Sequence, residues 1–226
     1  MSARELGVTW CEPDAIGFLV TKKMPVLFDS PFGVFVSNGE VFICDAENHR
    51  VRKLLCNGQI VTIAGKSGKW GYSGDGQLAT EAQLTCPNSV VVSSSDQVYI
   101  SDESNHRIRK IDRCGVISTI AGNGTIGYNG DDRLAVDAHL NIPRGLFVNE
   151  KEEVCICDCG NHRVRKIDRF GIISTVAGNG EYGYNGDDIL ATSAKLNCPS
   201  NVFVHENEIY ISDHGNHLIR KFYKME

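Results

Sequence analysis

Residues Pro87 to Ile142 read PNSVVVSSSDQVYISDESNHRIRKIDRCGVISTIAGNGTIGYNGDDRLAVDAHLNI, and this stretch decides the fold because the chain writes it repeatedly. A proline opens the unit at Pro31, Pro87, Pro143 and Pro199, at intervals of 56, 56 and 56 residues. Asp-x-x-Asn-His recurs inside it as Asp45 with Asn48-His49, Asp102 with Asn105-His106, Asp158 with Asn161-His162, and Asp213 with Asn216-His217. Ala-Gly followed by Gly-Tyr-x-Gly-Asp spans Ala64 to Asp75, Ala121 to Asp131 and Ala177 to Asp187, and has no fourth copy. Self-similarity at a fixed period marks a repeat architecture.

Within each unit the apolar residues follow strand periodicity. Strand a is Val34–Val36, Val90–Val92, Leu146–Val148 and Val202–Val204; strand b runs Val41–Asp45, Val98–Asp102, Val154–Asp158 and Ile209–Asp213. Both faces of strand b are largely apolar, so it must be covered on both sides, as in a blade stacked between two others. Strand c is His49–Leu54 and its counterparts, and strand d is Ile60–Ala64, Ile117–Ala121 and Ile173–Ala177. The expected fold is all-β: a propeller of four four-stranded antiparallel blades in one domain, residues 1–226, with repeats at about 31–86, 87–142, 143–198 and 199–226. The last copy stops in strand c. Residues 1–30 are read as the N-terminal segment that supplies the missing strand, through Leu6-Gly7-Val8-Thr9-Trp10. A closed four-blade ring is expected, with an open arc of a larger propeller as the alternative.

Turn chemistry supports these boundaries. Asp-x-x-Asn between b and c is expected to form an Asx-type turn, the Asp accepting local backbone N–H groups and the Asn taking positive φ. Gly58, Gly115 and Gly171 fit tight c-to-d turns. After each Gly-Tyr-x-Gly-Asp, apolar residues such as Leu78, Ala79 and Ala82 predict a helical turn or two, capped by Asp75, Asp131 or Asp187.

Composition sets limits. The 226 residues are 42% hydrophobic and 23% charged with a net charge of −5, near the average for soluble globular chains. The sequence holds no apolar run of bilayer length. The opening Met1-Ser2-Ala3-Arg4-Glu5 lacks the pattern of a secretory signal, and nine scattered cysteines fit reduced thiols, so a cytoplasmic monomer is expected.

These motifs resemble the NHL-repeat β-propellers, named for Asn-His-Leu, which stands here as Asn216-His217-Leu218. The longer form at Ala121 to Asp132 and Ala177 to Asp188 is similar to the repeats of teneurins and of many bacterial and protist NHL proteins. The resemblance covers about Pro31 to the C-terminus. It implies a propeller that serves as a platform for protein partners; some members bind RNA, and a few related propellers carry out metal-dependent lyase or hydrolase chemistry. The family usually has six blades, and this chain departs by having four copies.

His49, His106, His162 and His217 suggest a ring of metal ligands, yet strand c lies far from a propeller's axis, so each is read as a hydrogen-bonding lock between a b-to-c turn and its neighbour. Cys155, Cys157 and Cys159 alternate along one strand face, where cysteines spaced along a flat strand fit core filling better than zinc. Asp75, Asp131 with Asp132, and Asp187 with Asp188 offer too few oxygens for calcium. Gly122-Asn123-Gly124 and Gly178-Asn179-Gly180 do not open a helix in a βαβ unit, so they are weak phosphate loops. No catalytic residue, metal or cofactor is assigned.

Strand c holds 11 of the 23 Lys and Arg, among them Arg50, Arg52 and Lys53, Arg107, Arg109 and Lys110, Arg163, Arg165 and Lys166, and Arg220 and Lys221. Such a stripe suits RNA, which is the alternative reading, but the negative net charge favours arginines that pair with repeated acids such as Asp112 and Asp168. What varies between copies is free to recognise something. Trp70, Ile126 and Tyr182 share one aligned position on the d-to-a linkers, beside the recurrent Tyr72, Tyr128 and Tyr184, and these six are expected to face a protein or peptide partner.

Overall fold

A computed structural model describes residues 27–206 and 208–223. Among the described residues sixteen strands follow in chain order. Blade one holds β1 (Pro31–Ser37), β2 (Glu40–Asp45), β3 (Arg50–Leu54) and β4 (Ile60–Ala64). Blade two holds β5 (Pro87–Val92), β6 (Val98–Asp102), β7 (Arg107–Ile111) and β8 (Ile117–Ala121). After the short β9 (Arg133–Leu134), blade three holds β10 (Pro143–Val148), β11 (Val154–Asp158), β12 (Arg163–Ile167) and β13 (Ile172–Ala177). Blade four holds β14 (Pro199–His205), β15 (Glu208–Asp213) and β16 (Leu218–Tyr223).

Each blade is a meander whose strands pair antiparallel in sequence order, and β9 adds to the outer edge of blade three through Leu134↔Ile172 and Arg133↔Ile173. The register repeats: Ile100 opposes Arg109, and Ile156 opposes Arg165, one copy apart. This is a β-propeller of four blades. Its core lies between blades, where fully buried Leu84, Ile100 and Ile117 have counterparts in Leu140, Ile156 and Ile173. Burying a side chain of this size stabilises by roughly 1.5–3 kcal/mol, so the inter-blade layers are the main source of stability.

The first strands pack in series, β1 on β5, β5 on β10 and β10 on β14. Among the described residues no contact of that extent joins β14 to β1. The apolar side chains of Phe32, Val34 and Val36 on blade one, and of Phe203, Ile219 and Tyr223 on blade four, are all more than half exposed. The segment Leu6–Trp10, read as a closing strand, lies outside the described residues.

Three local expectations are corrected. The predicted helical turns are single 3-10 turns at Ala79–Glu81, Ala135–Asp137 and Ala191–Ser193, and no side chain caps them. Their N-terminal flanking residues are Leu78, Leu134 and Leu190, because Asp75 and Asp131 are drawn into ion pairs with arginines of the next blade. In the b-to-c turn the left-handed residue is the histidine, not the asparagine: φ is 54° at His49, 54° at His106, 53° at His162 and 58° at His217. The backbone amide from which the turn's aspartate accepts comes from a distant segment, while within its own loop it accepts only from the asparagine side chain.

Candidate binding face

The Asp-x-x-Asn-His turn ties three chain segments together. Asp102 is fully buried; its Oδ1 accepts from the Thr85 amide at 2.8 Å, and Asn105 Nδ2 donates to it at 2.9 Å and to the Gly71 carbonyl at 2.7 Å. Asp158 and Asn161 repeat this with the Asn141 amide and the Gly127 carbonyl, and Asp213 and Asn216 with the Asn197 amide and the Gly183 carbonyl. In the first copy Asp45 Oδ1 accepts from the Asp29 amide and from Asn48 Nδ2. The linker entering a blade is thus held by that blade's own turn.

The histidines reach forward. His49, His106 and His162 accept at Nδ1 from the amides of Cys86, Ile142 and Cys198, each at 3.2 Å, where the next blade begins. His217 occupies the same place in the last copy, with no following blade among the described residues.

The second arginine of strand c completes the frame. Arg109 and Arg165 have no exposed side-chain surface, and each binds two carboxylates: Arg109 lies 2.6 Å from Asp75 and 3.3 Å from Asp102, Arg165 2.8 Å from Asp131 and 3.4 Å from Asp158. These partners replace Asp112 and Asp168, whose carboxylates instead accept amides of their own c-to-d turns, from Cys114 and Val116 and from Phe170 and Ile172. Asp112 is close to the arginine in sequence, but it lies at the turn, whereas Asp75 comes from the preceding linker, 34 residues away. Burial pushes the carboxyls of Asp102 and Asp158 up to about 6 despite the arginine beside each.

The six predicted face residues divide into two sets. Tyr72 lies under the guanidinium of Arg107, 3.6 Å from its ring centre, and donates its hydroxyl to Asp75 at 2.9 Å. Tyr128 lies 3.9 Å under Arg163 and donates to Asp131, and Tyr184 donates to Asp187 with Arg220 at 4.9 Å. These tyrosines pin each linker to the following blade. Trp70, Ile126 and Tyr182 instead project outward, 71%, 61% and 75% exposed. Their backbones are fixed by bridges to Leu84, Leu140 and Leu196, which are fully buried. Three large side chains therefore stand exposed on three pinned loops at one register, the Tyr182 ring lying 6.1 Å from that of His162. The supporting arginine–tyrosine–aspartate unit was not legible in sequence, although recurrence of Asp75 and Arg109 in every full copy was the available signal.

Among the described residues no three His, Cys, Asp or Glu side chains gather as a metal-binding set. Cys157 is buried in the core, and burial pushes its thiol up. No helix of the described residues is long and apolar enough to cross a membrane.

Comparison with known proteins places the repeats. The NHL repeat model matches residues 28–54 and 140–167, and the teneurin NHL domain model matches residues 68–129. Teneurin-m of Drosophila melanogaster is 26% identical over 211 residues, 81% of this chain and 8% of that protein. NHL repeat-containing protein 2 of Gallus gallus is 37% identical over 112 residues, 48% of this chain and 14% of that protein. This chain therefore spans a small part of these relatives. Among solved structures, a Bacteroides thetaiotaomicron protein of unknown function superposes with a TM-score of 0.63 at 22% identity, over 81% of this chain and 44% of that one. A streptogramin B lyase superposes at 0.58 and 13% identity, over 88% of this chain and 53% of that one. At these identities the structural likeness concerns fold alone.

Proposed function

From the premise that this chain is an NHL-repeat β-propeller, we propose that it is a non-catalytic interaction scaffold that holds a protein or peptide partner against the face carrying the d-to-a linkers. The observation that carries this reading is the exposure of Trp70, Ile126 and Tyr182 on loops whose backbone is already pinned. Large aromatics on preordered loops bury area at little entropic cost, which is how interfaces obtain their anchoring energy. The protein-interaction role common in the family supports the same reading.

RNA binding through strand c is the weaker alternative, because its central arginines are committed elsewhere. Arg109 and Arg165 are buried against paired carboxylates, and Arg220 is 5% exposed beside Asp213. The net charge of −5 opposes phosphate in addition. The lyase-type reading has only likeness of fold behind it.

The test is capture of partners by the purified chain, read by co-purification. Changing Trp70 and Tyr182 together to Ala is expected to weaken capture about 10-fold or more, the scale of a lost interface hot spot. The melting temperature should stay the same, because neither side chain is buried. Full capture by a folded double variant would refute the assignment of this face.

A further inference from the structure

The junction from blade three to blade four differs from the two before it. At each junction a left-handed residue precedes the proline that opens the next blade, with φ of 49° at Cys86, 53° at Ile142 and 49° at Cys198. Its amide is held by the histidine of the preceding blade's b-to-c turn, which aims its side chain towards that turn. The Cys86 thiol accordingly lies 3.9 Å from His49 Nδ1. The residue that follows the turn's aspartate is Ala46, Glu103 or Cys159. Of these three junctions only the last carries a thiol in both places.

His162 holds both of its cysteines. Its Nδ1 accepts from the Cys198 amide at 3.2 Å, and its own amide donates to the Cys159 carbonyl at 3.1 Å. One residue thus fixes the backbone on either side of the junction, and the two thiols, 39 positions apart in sequence, are hydrogen-bonded to each other.

The two sulfurs are not equivalent. Cys159 is buried, whereas Cys198 is half-buried, so Cys198 is the thiol that a dissolved reagent can reach. Burial pushes the Cys159 thiol up, against the pull of the nearby Arg144 guanidinium, and a thiol held in that way is slow to form the reactive thiolate. Cys198 is therefore suited to attack first and Cys159 to attack second, since a resolving thiol needs access only to its partner.

We propose that Cys159 and Cys198 are a redox modification site, forming a reversible disulfide that fastens the turn of blade three to the start of blade four. The oxidant is a small-molecule disulfide of the glutathione class. The Cys198 thiolate, its proton lost to water, attacks one sulfur of that disulfide and expels one glutathione thiolate. Cys159 then gives up its proton and attacks Cys198 Sγ, which breaks the mixed disulfide and releases the second glutathione thiolate. The protein thiols lose two electrons and two protons, and the glutathione disulfide is reduced to two thiols. The new bond closes a long loop across a blade boundary that hydrogen bonds hold at the other junctions, and a cross-link of that kind stabilises by restricting the unfolded chain.

The test incubates the folded full chain with glutathione disulfide, alkylates the remaining thiols, and maps cross-linked peptides by fragmentation mass spectrometry. A Cys159–Cys198 cross-link is expected, together with a melting temperature raised by about 5 °C or more, the scale of one disulfide in a chain of this size. Dithiothreitol should reverse both. Cys159→Ala and Cys198→Ser each introduce a residue that another copy uses at that place, Ala46 and Ser30, so both variants should fold, and each should lose the cross-link and the rise in melting temperature. Cys157→Ser, for which Ser101 and Ser212 are the precedents, should keep both. Thiols that stay reduced in the folded chain, or glutathione retained on Cys198 without an internal bond, would overturn the proposal. So would a bond from Cys198 to Cys11 or Cys86, or a cross-link that forms only in denaturant.

Discussion

His106 shows how one residue joins two blades. Its φ of 54° is unusual for a residue with a side chain, at a cost of about 1 kcal/mol or more that the surrounding bonds must offset. That backbone twist aims Nδ1 at the Ile142 amide 3.2 Å away, and a nitrogen that accepts must be unprotonated. Burial and the adjacent Arg107 hold the imidazole below its ordinary value of 6.5. The folded state therefore binds fewer protons than the unfolded chain just below pH 6.5, so the stability this histidine contributes is present above that pH and is lost as pH falls. His106→Asn, which keeps a residue tolerant of positive φ but too short to reach Ile142, should cost about 1 kcal/mol at pH 7.5 by urea unfolding. The gap between variant and parent should narrow as the pH is lowered below 6.5. A gap that stayed constant would mean that the ring serves only as packing. The histidine's presence in every copy was legible; its partner was not, because that partner lies 36 residues away.

At the scale of the element, the return from strand d into the linker is the most constrained step. Gly178 has φ of +90°, and a Cβ placed there would lie 2.3 Å from the His162 carbonyl oxygen. Gly65 and Gly122 repeat the approach, at 2.3 and 2.2 Å from the carbonyls of His49 and His106. Gly171, in the c-to-d turn, also has positive φ, at +79°, but open space around it. Gly171→Ala should therefore lose about 1 kcal/mol from backbone strain alone, and Gly178→Ala at least twice that, since backbone atoms must move as well. Equal shifts in urea midpoint for the two variants would show that crowding plays no part. Alternation and glycine spacing made the strands and tight turns readable. The ends of the helical turns do not follow from sequence adjacency, because Asp75 and Asp131 find arginine partners in the next blade rather than capping the turn beside them.

Across the whole molecule, stability is expected to add up from blade to blade. Among the described residues the extensive contacts between blades join neighbours in the series, so the middle blades are supported on two sides and the end blades on one. Arg109 and Arg165, the fully buried cations, stand in blades two and three, and Ile219 at the end is 72% exposed. Amide hydrogen exchange should accordingly be slowest in β6, β7, β11 and β12, and fastest, among the strands, in β1 and β16. Uniform protection across all four blades would indicate one cooperative unit and would contradict a nearest-neighbour picture.

The sequence by itself determined the number of copies, the four-strand plan of a blade, and which residues recur in each. That followed from local physics, because strand period, turn glycines and buried apolar runs act over a few residues. The tertiary structure alone decided which side chains meet across blades: Arg109 with Asp75 rather than Asp112, the tyrosines under arginines, and the exposure of Trp70, Ile126 and Tyr182. Those contacts join segments a full linker apart, and only the stacking of one sheet on the next sets their distances.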